Sequence, residues 1–160
     1  MWLLLAIPAL LGIGRYVSKN LSTRKTAFQI AQNEIGVHEI EGHESSDRIL
    51  EYLKTTNLPA AVLLDSTPWC AAFVNWCLIQ AGKPSLNTAW ARSFLNYGTP
   101  TTTPNRGDIV VFERGDGGHV GFFDSYTPNG NILVLGGNQS DQVKYSEYSK
   151  SKLLGFRKIP

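Results

Sequence analysis

The sequence predicts an α+β domain in which helices come first and a small antiparallel sheet follows. Three observations predict it. Before Gly98, apolar residues recur mostly at helical spacing, as in "AFQIAQNEIGV" from Ala27 and "WCAAFVNWCLIQ" from Trp69. From Asp108 the period changes to that of strands, in "DIVVF" (108–112), "HVGFFDSY" (119–126) and "NILVLGGN" (131–138). Gly-rich or Asn-Gly turns separate these strands, as an antiparallel meander requires.

The chain opens with "MWLLLAIPALLGIG", apolar from Trp2 to Ile13. As a helix this stretch spans about 18 Å, short of a hydrocarbon core of about 30 Å. Extension to Val17, with Arg15 snorkelling, brings it to about 25 Å. Residues 1–17 therefore read as a membrane anchor or a signal segment, with a buried helix as the third alternative. Trp2 at one end and Arg15, Tyr16 and Lys19 at the other suit interfacial anchoring. Gly12-Ile13-Gly14 offers small residues for cleavage, although no Lys or Arg precedes the apolar run. Residues 18–26, "SKNLSTRKT", are polar and basic and read as a linker; residues 27–160 form the domain.

Within the domain, the first helix starts at Ala27 and stops near Gly36. Ser45 or Ser46 caps a second helix with Ile49, Leu50 and Leu53 on its apolar stripe. Asp65, Ser66 or Thr67 caps a third, with Pro68 in its first turn, Gly82 as its stop and Pro84 beyond. Apolar residues cover much of that helix's circumference, so it is expected to be central and buried. "NTAWARSFLNYG" predicts a short fourth helix ending at Gly98. "TPTTTPNRG" is expected to be a connection, and "LLGFRKI" (153–159) a last strand.

At 160 residues the chain can form one domain with a sizeable core. Hydrophobic content of 42% and charged content of 18% place it among ordinary globular proteins rather than disordered ones. Arg15, Lys19, Arg24 and Lys25 all precede the first acidic residue, Glu34, which leaves a near-neutral body. Such a body argues against nucleic acid as a partner. The two cysteines, Cys70 and Cys77, are seven positions apart on one predicted helix, about 10 Å along its axis. That is too far for a disulfide and fits no compact zinc site, so both are expected to be free thiols, with no metal and no cofactor.

Cys70 stands directly after Pro68-Trp69, where the third helix begins. Unpaired N–H groups at a helix start favour negative charge, which lowers a thiol's pKa and can hold an oxyanion during acyl transfer. The plain alternative is a small apolar side chain near a helix start. Cys77, two turns deeper beside Trp76 and Leu78, reads as core. Activation of a thiol also needs a base. His38 and His43 lie in the Glu-rich loop "GVHEIEGHES" and read as solvated residues. His119 opens a strand after Gly117 and Gly118, glycines that allow a substrate or another backbone to approach closely; a polar edge residue is the alternative. Together Cys70 and His119 suggest the two halves of a Cys–His pair. A third residue would accept from the second imidazole nitrogen. Asn138 in "LGGNQSD" is the first choice and Asp141 the second, with a simple turn role as the alternative. "NQS" and the two "RGD" triplets, at 106–108 and 114–116, are better explained as turns flanking strands.

The ordered set "DSTPWCAAFVNW", "RGDIVVFERG…GGHVGFF" and "LGGNQSD" resembles the CHAP and NlpC-type superfamily of cell-wall peptidases and amidases. With "EIGVHEIEGHESSDRILEYLKTT" ahead of the cysteine, it is most similar to the phage- and prophage-encoded branch. The resemblance covers Ala27 to the C-terminus. It implies a papain-like arrangement: a nucleophile helix packed on an antiparallel sheet that carries the histidine. It implies hydrolysis of amide bonds in bacterial peptidoglycan, within the stem peptide or between muramic acid and L-alanine. By the same resemblance Cys70 is the nucleophile, His119 the base and then the acid, and Asn138 the orienting residue. Asp65, Trp69 and Gly118 are expected to contact substrate. Many family members carry Glu-x-Asn on the third strand; here the Glu position is Gly136, which leaves Asn138 to act alone.

Two other functions fit parts of the sequence. One is a non-catalytic virion structural or wall-binding module that keeps the fold. The other is an acyltransferase or amidase acting on a small cytosolic substrate. An apolar N-terminus on a lysin-like domain suggests membrane contact through residues 2–17. The expected location is then a virion membrane or host envelope, with virion proteins as partners; an exported enzyme is the alternative.

Overall fold

The structure, a computed structural model, describes residues 24–42 and 44–160. The apolar segment 1–17, most of the 18–26 linker and His43 lie outside the described residues. Among the described residues no helix is long and apolar enough to cross a membrane.

Helix α1 (Ala27–Asn33) begins at a capping box: the Thr26 hydroxyl accepts from the Gln29 N–H, and the Gln29 side chain accepts from the Thr26 N–H. Helix α2 (Asp47–Leu53) presents Ile49, Tyr52 and Leu53 to the interior. Helix α3 (Cys70–Gln80) is buried over most of its surface, as its all-round apolar composition requires. Its start differs from the expected one. No side chain caps it, and Trp69 holds the cap position. Asp65 is instead committed to the preceding loop, where its carboxylate accepts from the Ile40 and Ser46 N–H groups at 2.9 Å each. A capping carboxylate would have used up N–H groups that now stay free beside Cys70.

Ala91–Asn96, the expected fourth helix, is a 3-10 helix. Six strands form a single sheet in the order β1-β6-β2-β3-β4-β5, every neighbour antiparallel: β1 (Thr99–Thr101), β2 (Ile109–Arg114), β3 (Gly117–Tyr126), β4 (Ile132–Gly136), β5 (Lys144–Tyr148) and β6 (Leu153–Lys158). Strands β1 and β5 were not expected. Their sequences, "TPT" and "KYSEY", are polar edge strands with no apolar period.

The unbroken apolar run of β2 follows from its place in the sheet. Ile109 and Val111 join Val120 and Phe122 of β3 in the core shared with the helices. Val110 and Phe112 join Phe123, Ile132, Val134 and Phe156 in a second cluster. Both faces of this strand are covered, so alternation has no reason to appear. Helix α3 packs on β3 and β4. Tyr52, Trp69 and Phe73 form an aromatic group beneath it, with ring centroids 5.2 to 6.5 Å apart. Tyr52 also donates to the buried Glu34 carboxylate, which Arg48 grips with two guanidinium nitrogens at 2.8 and 3.2 Å. The whole is the α+β, papain-like arrangement, with the Cys70-bearing helix against an antiparallel sheet.

Candidate active site

Cys70 is the first residue of α3 and opens onto a cleft of about 630 Å³, with Pro68, Trp90, Arg114, Gly118, Asn138 and Asp141 among its lining residues. The backbone N–H groups of Val120 on β3 and of Ala71 and Cys70 at the helix start act on the sulfur in the direction that favours negative charge. These donors and the Arg114 charge favour thiolate, but burial outweighs them and holds the thiol above its usual range. The pKa lowering expected from helix position alone does not prevail. At rest the sulfur is protonated. Cys77 is a second free thiol, wholly buried and pushed well up by desolvation, as a core residue should be.

His119 is fully buried on β3, opposite Phe112 in the ladder. Its ring stacks on Tyr148 at 5.0 Å between centroids. Its Nε2 lies 2.9 Å from Oε1 of Gln139. The amide nitrogen of Gln139 donates to two backbone carbonyls, those of Val134 and Lys144. That network fixes which end of the amide is oxygen, so Nε2 of His119 must carry the proton and donate to it. The other nitrogen, Nδ1, is left with a lone pair, 3.5 Å from Nη1 of Arg114. Burial pushes the imidazole pKa down to about 4; the Gln139 hydrogen bond opposes this and the Arg114 charge adds to it.

This depression has a measurable consequence for stability. Between the ordinary histidine pKa of 6.5 and the buried value of about 4, the unfolded chain binds a proton that the folded one refuses. Stability therefore falls as pH drops through that window, by roughly 3 kcal/mol in all. Urea unfolding at pH 7 and at pH 4.5 should reveal the loss, and His119→Gln should flatten it. An unchanged slope in the variant would assign the loss to other groups.

Gln139, not Asn138, makes the hydrogen bond to the His119 ring. Asn138 is half-buried on the cleft wall with φ of 53°, in a loop where Ser140 and Asp141 also have positive φ. Its side chain makes no hydrogen bond to His119 among the described residues. The reason lies at Gly136. A Cβ there would stand 3.1 Å from Gln139 Oε1 and 3.4 Å from His119 Nε2. The strand supplies no side chain facing the histidine, and Gln139 folds back from the turn into that space. A glycine at that position of the motif, followed shortly by an amide, was the available signal.

The expected substrate contacts divide. Gly118 lines the cleft; a Cβ on it would meet the Arg92 side chain at 2.9 Å and the Phe112 carbonyl at 3.2 Å. Asp65 is buried and holds the 40–46 loop instead of reaching the cleft. Trp69 is fully buried. Its ring occupies the space above Gly137, where a Cβ would come within 2.5 Å of it, and its Nε1 donates to Glu39 at 2.7 Å. Trp69 thus positions Glu39, a cleft-lining residue the sequence did not single out. Burial pushes the Glu39 carboxyl up, and the charges of Asp141 and Asp65 add to this against the Trp69 hydrogen bond. His38 pairs with Gln142 in an isolated bridge, which ties its segment to the turn that carries Gln139. Among the described residues no group of acidic, histidine or cysteine side chains is placed to hold a metal.

Residues 64–138 match the CHAP domain. No curated protein matches the chain. Among solved structures, it is similar to the P60 domain of an antigen from M. avium subspecies paratuberculosis, with 19% identity and a TM-score of 0.50 over 84% of this chain and 93% of that one. It is also similar to the peptidoglycan hydrolase RipB from Mycobacterium tuberculosis, with 20% identity and a TM-score of 0.49 over 84% of this chain. The aligned part is 63% of the RipB structure. At these identities the likeness concerns the fold.

Proposed function

We propose that the chain is a peptidoglycan hydrolase of the CHAP and NlpC type that cleaves an amide bond through a thioester on Cys70. The observation that carries this reading is the constellation around the cleft: a thiol at an uncapped helix start, acted on by the backbone N–H of the residue next to His119, with the imidazole held in one tautomer by Gln139. The CHAP match over residues 64–138 supports peptidoglycan as the substrate.

In the proposed reaction the pair is neutral at rest. As Cys70 Sγ attacks the amide carbonyl, its proton passes to Nδ1 of His119, and Gln139 Oε1 stabilises the imidazolium through Nε2–H. The free N–H groups at the start of α3 supply one side of the oxyanion hole. His119 then protonates the leaving amine and activates water to hydrolyse the thioester. A neutral pair differs from a pre-formed thiolate in its labelling behaviour. Iodoacetamide should alkylate Cys70 slowly below pH 7, with a rate that keeps rising beyond the ordinary thiol range.

The direct test incubates the full chain with purified cell walls and identifies released fragments by mass spectrometry. Fragments with a new amine and a new carboxylate at one amide bond are expected, and they also name the bond. Intact walls after prolonged incubation favour the non-catalytic wall-binding module. The apolar run from Trp2 to Ile13 supports a membrane-tethered lytic enzyme of phage type. Carbonate extraction of membranes tests that part: full-length protein entirely in the soluble fraction refutes tethering.

A further inference from the structure

Arg114 is the last residue of β2 and lines the cleft with Cys70. It is exposed, yet one guanidinium nitrogen reaches to 3.5 Å from the lone-pair nitrogen of His119. Among the described residues no carboxylate forms an ion pair with it. Two acids, Glu39 and Asp141, line the same cleft, but neither approaches Arg114 within ion-pair distance. Glu39 is held by Trp69 instead, and the Asp141 backbone carbonyl accepts from the Glu39 N–H.

The backbone that presents the arginine is braced. Arg114 pairs with Gly117 across a two-residue turn, and Arg92 Nε donates to the Gly117 carbonyl at 2.7 Å. A guanidinium with no carboxylate partner among the described residues, open to a cleft and beside the His119 ring, is a carboxylate receptor by its chemistry; its planar fork matches two carboxylate oxygens.

We infer that Arg114 is a specificity-determining residue that binds a substrate carboxylate flanking the scissile amide. The inference rests on the hydrolase reading. It also explains an otherwise unfavourable arrangement, because an unpaired cation beside the base opposes formation of imidazolium. A bound carboxylate neutralises that cation and draws its N–H groups away from Nδ1, so the correct substrate frees the base as it binds.

The test uses matched wall-derived muropeptides that differ only in carrying a carboxylate or a carboxamide beside the cleaved amide. Wild type should favour the carboxylate by about tenfold to a hundredfold in kcat/KM, as expected for a charge-assisted bidentate contact. Arg114→Gln should bring the ratio close to one, and Arg114→Lys should leave it in between, since an ammonium lacks the fork. Calorimetry on Cys70→Ala gives an independent measure in which the carboxylate form binds more tightly and Arg114→Gln removes the difference. A wild-type ratio near one, with equal binding of both peptides, overturns the proposal while leaving the hydrolase intact. Equal loss on both peptides in Arg114→Gln also overturns it and assigns the arginine to the oxyanion. If neither peptide is cleaved, the hydrolase reading falls; the calorimetric difference then decides whether carboxylate recognition stands.

Discussion

Cys70→Ala should abolish wall hydrolysis, with turnover reduced by about 10³-fold or more, while Cys77→Ala keeps most of the activity. The contrast follows from where each sulfur sits. Cys70 opens onto the cleft, and three backbone N–H groups and the Arg114 charge act on it. Cys77 lies in the core, where desolvation and the Glu34 charge both disfavour its thiolate. Removing the nucleophile from a Cys–His set leaves only binding and the oxyanion donors, a small remnant of the catalysis. Removing Cys77 deletes one buried sulfur and costs about 1 kcal/mol of stability. Release of soluble muropeptides, with folding checked by circular dichroism, reads both. Equal release by Cys70→Ala and wild type would end the thioester mechanism.

Gln139→Leu should be nearly as severe, lowering kcat by about 10²- to 10⁴-fold. Leucine fills the space but accepts nothing from Nε2–H, so neither the tautomer nor the imidazolium is stabilised. It also strips the Val134 and Lys144 carbonyls of their donor. Leaving such buried groups unpaired costs about 1–3 kcal/mol each. Because stability and activity both drop, the discriminating readout is the pH–activity profile of Gln139→Glu, which loses the same two carbonyl contacts. A carboxylate still accepts from Nε2 and adds a charge that favours imidazolium, so the acid limb of the pH–activity profile should move upward. A merely structural Gln139 would leave that limb in place. Asn138→Gly preserves the positive φ and should lose far less than Gln139→Leu; the reverse ranking would restore Asn138 to the orienting role.

Much of this was legible in the chain. The α+β order, four of the six strands and the starts of α1 and α2 follow from local signals: apolar period, capping residues and turn dipeptides. Cys70 stood out because helix onset is a local property and an N-terminal thiol has a chemical meaning there. His119 stood out because glycines precede it at a strand start. The polar edges β1 and β5 were illegible, since pairing with a neighbour, not an apolar face, makes them strands. Asp65 looked like a helix cap by spacing, but the 40–46 loop competes for the same carboxylate from far away in sequence.

The sequence by itself determined which side chains carry reactive chemistry and which elements present them, because those depend on residues a few positions apart. Tertiary structure alone decided the protonation and the partners. Burial left the thiol and the imidazole neutral, Gly136 opened the space that Gln139 took from Asn138, and the β2–β3 hairpin set an unpaired guanidinium beside the base. Desolvation and cross-strand proximity are sums over neighbours distant in sequence, and no local pattern encodes them.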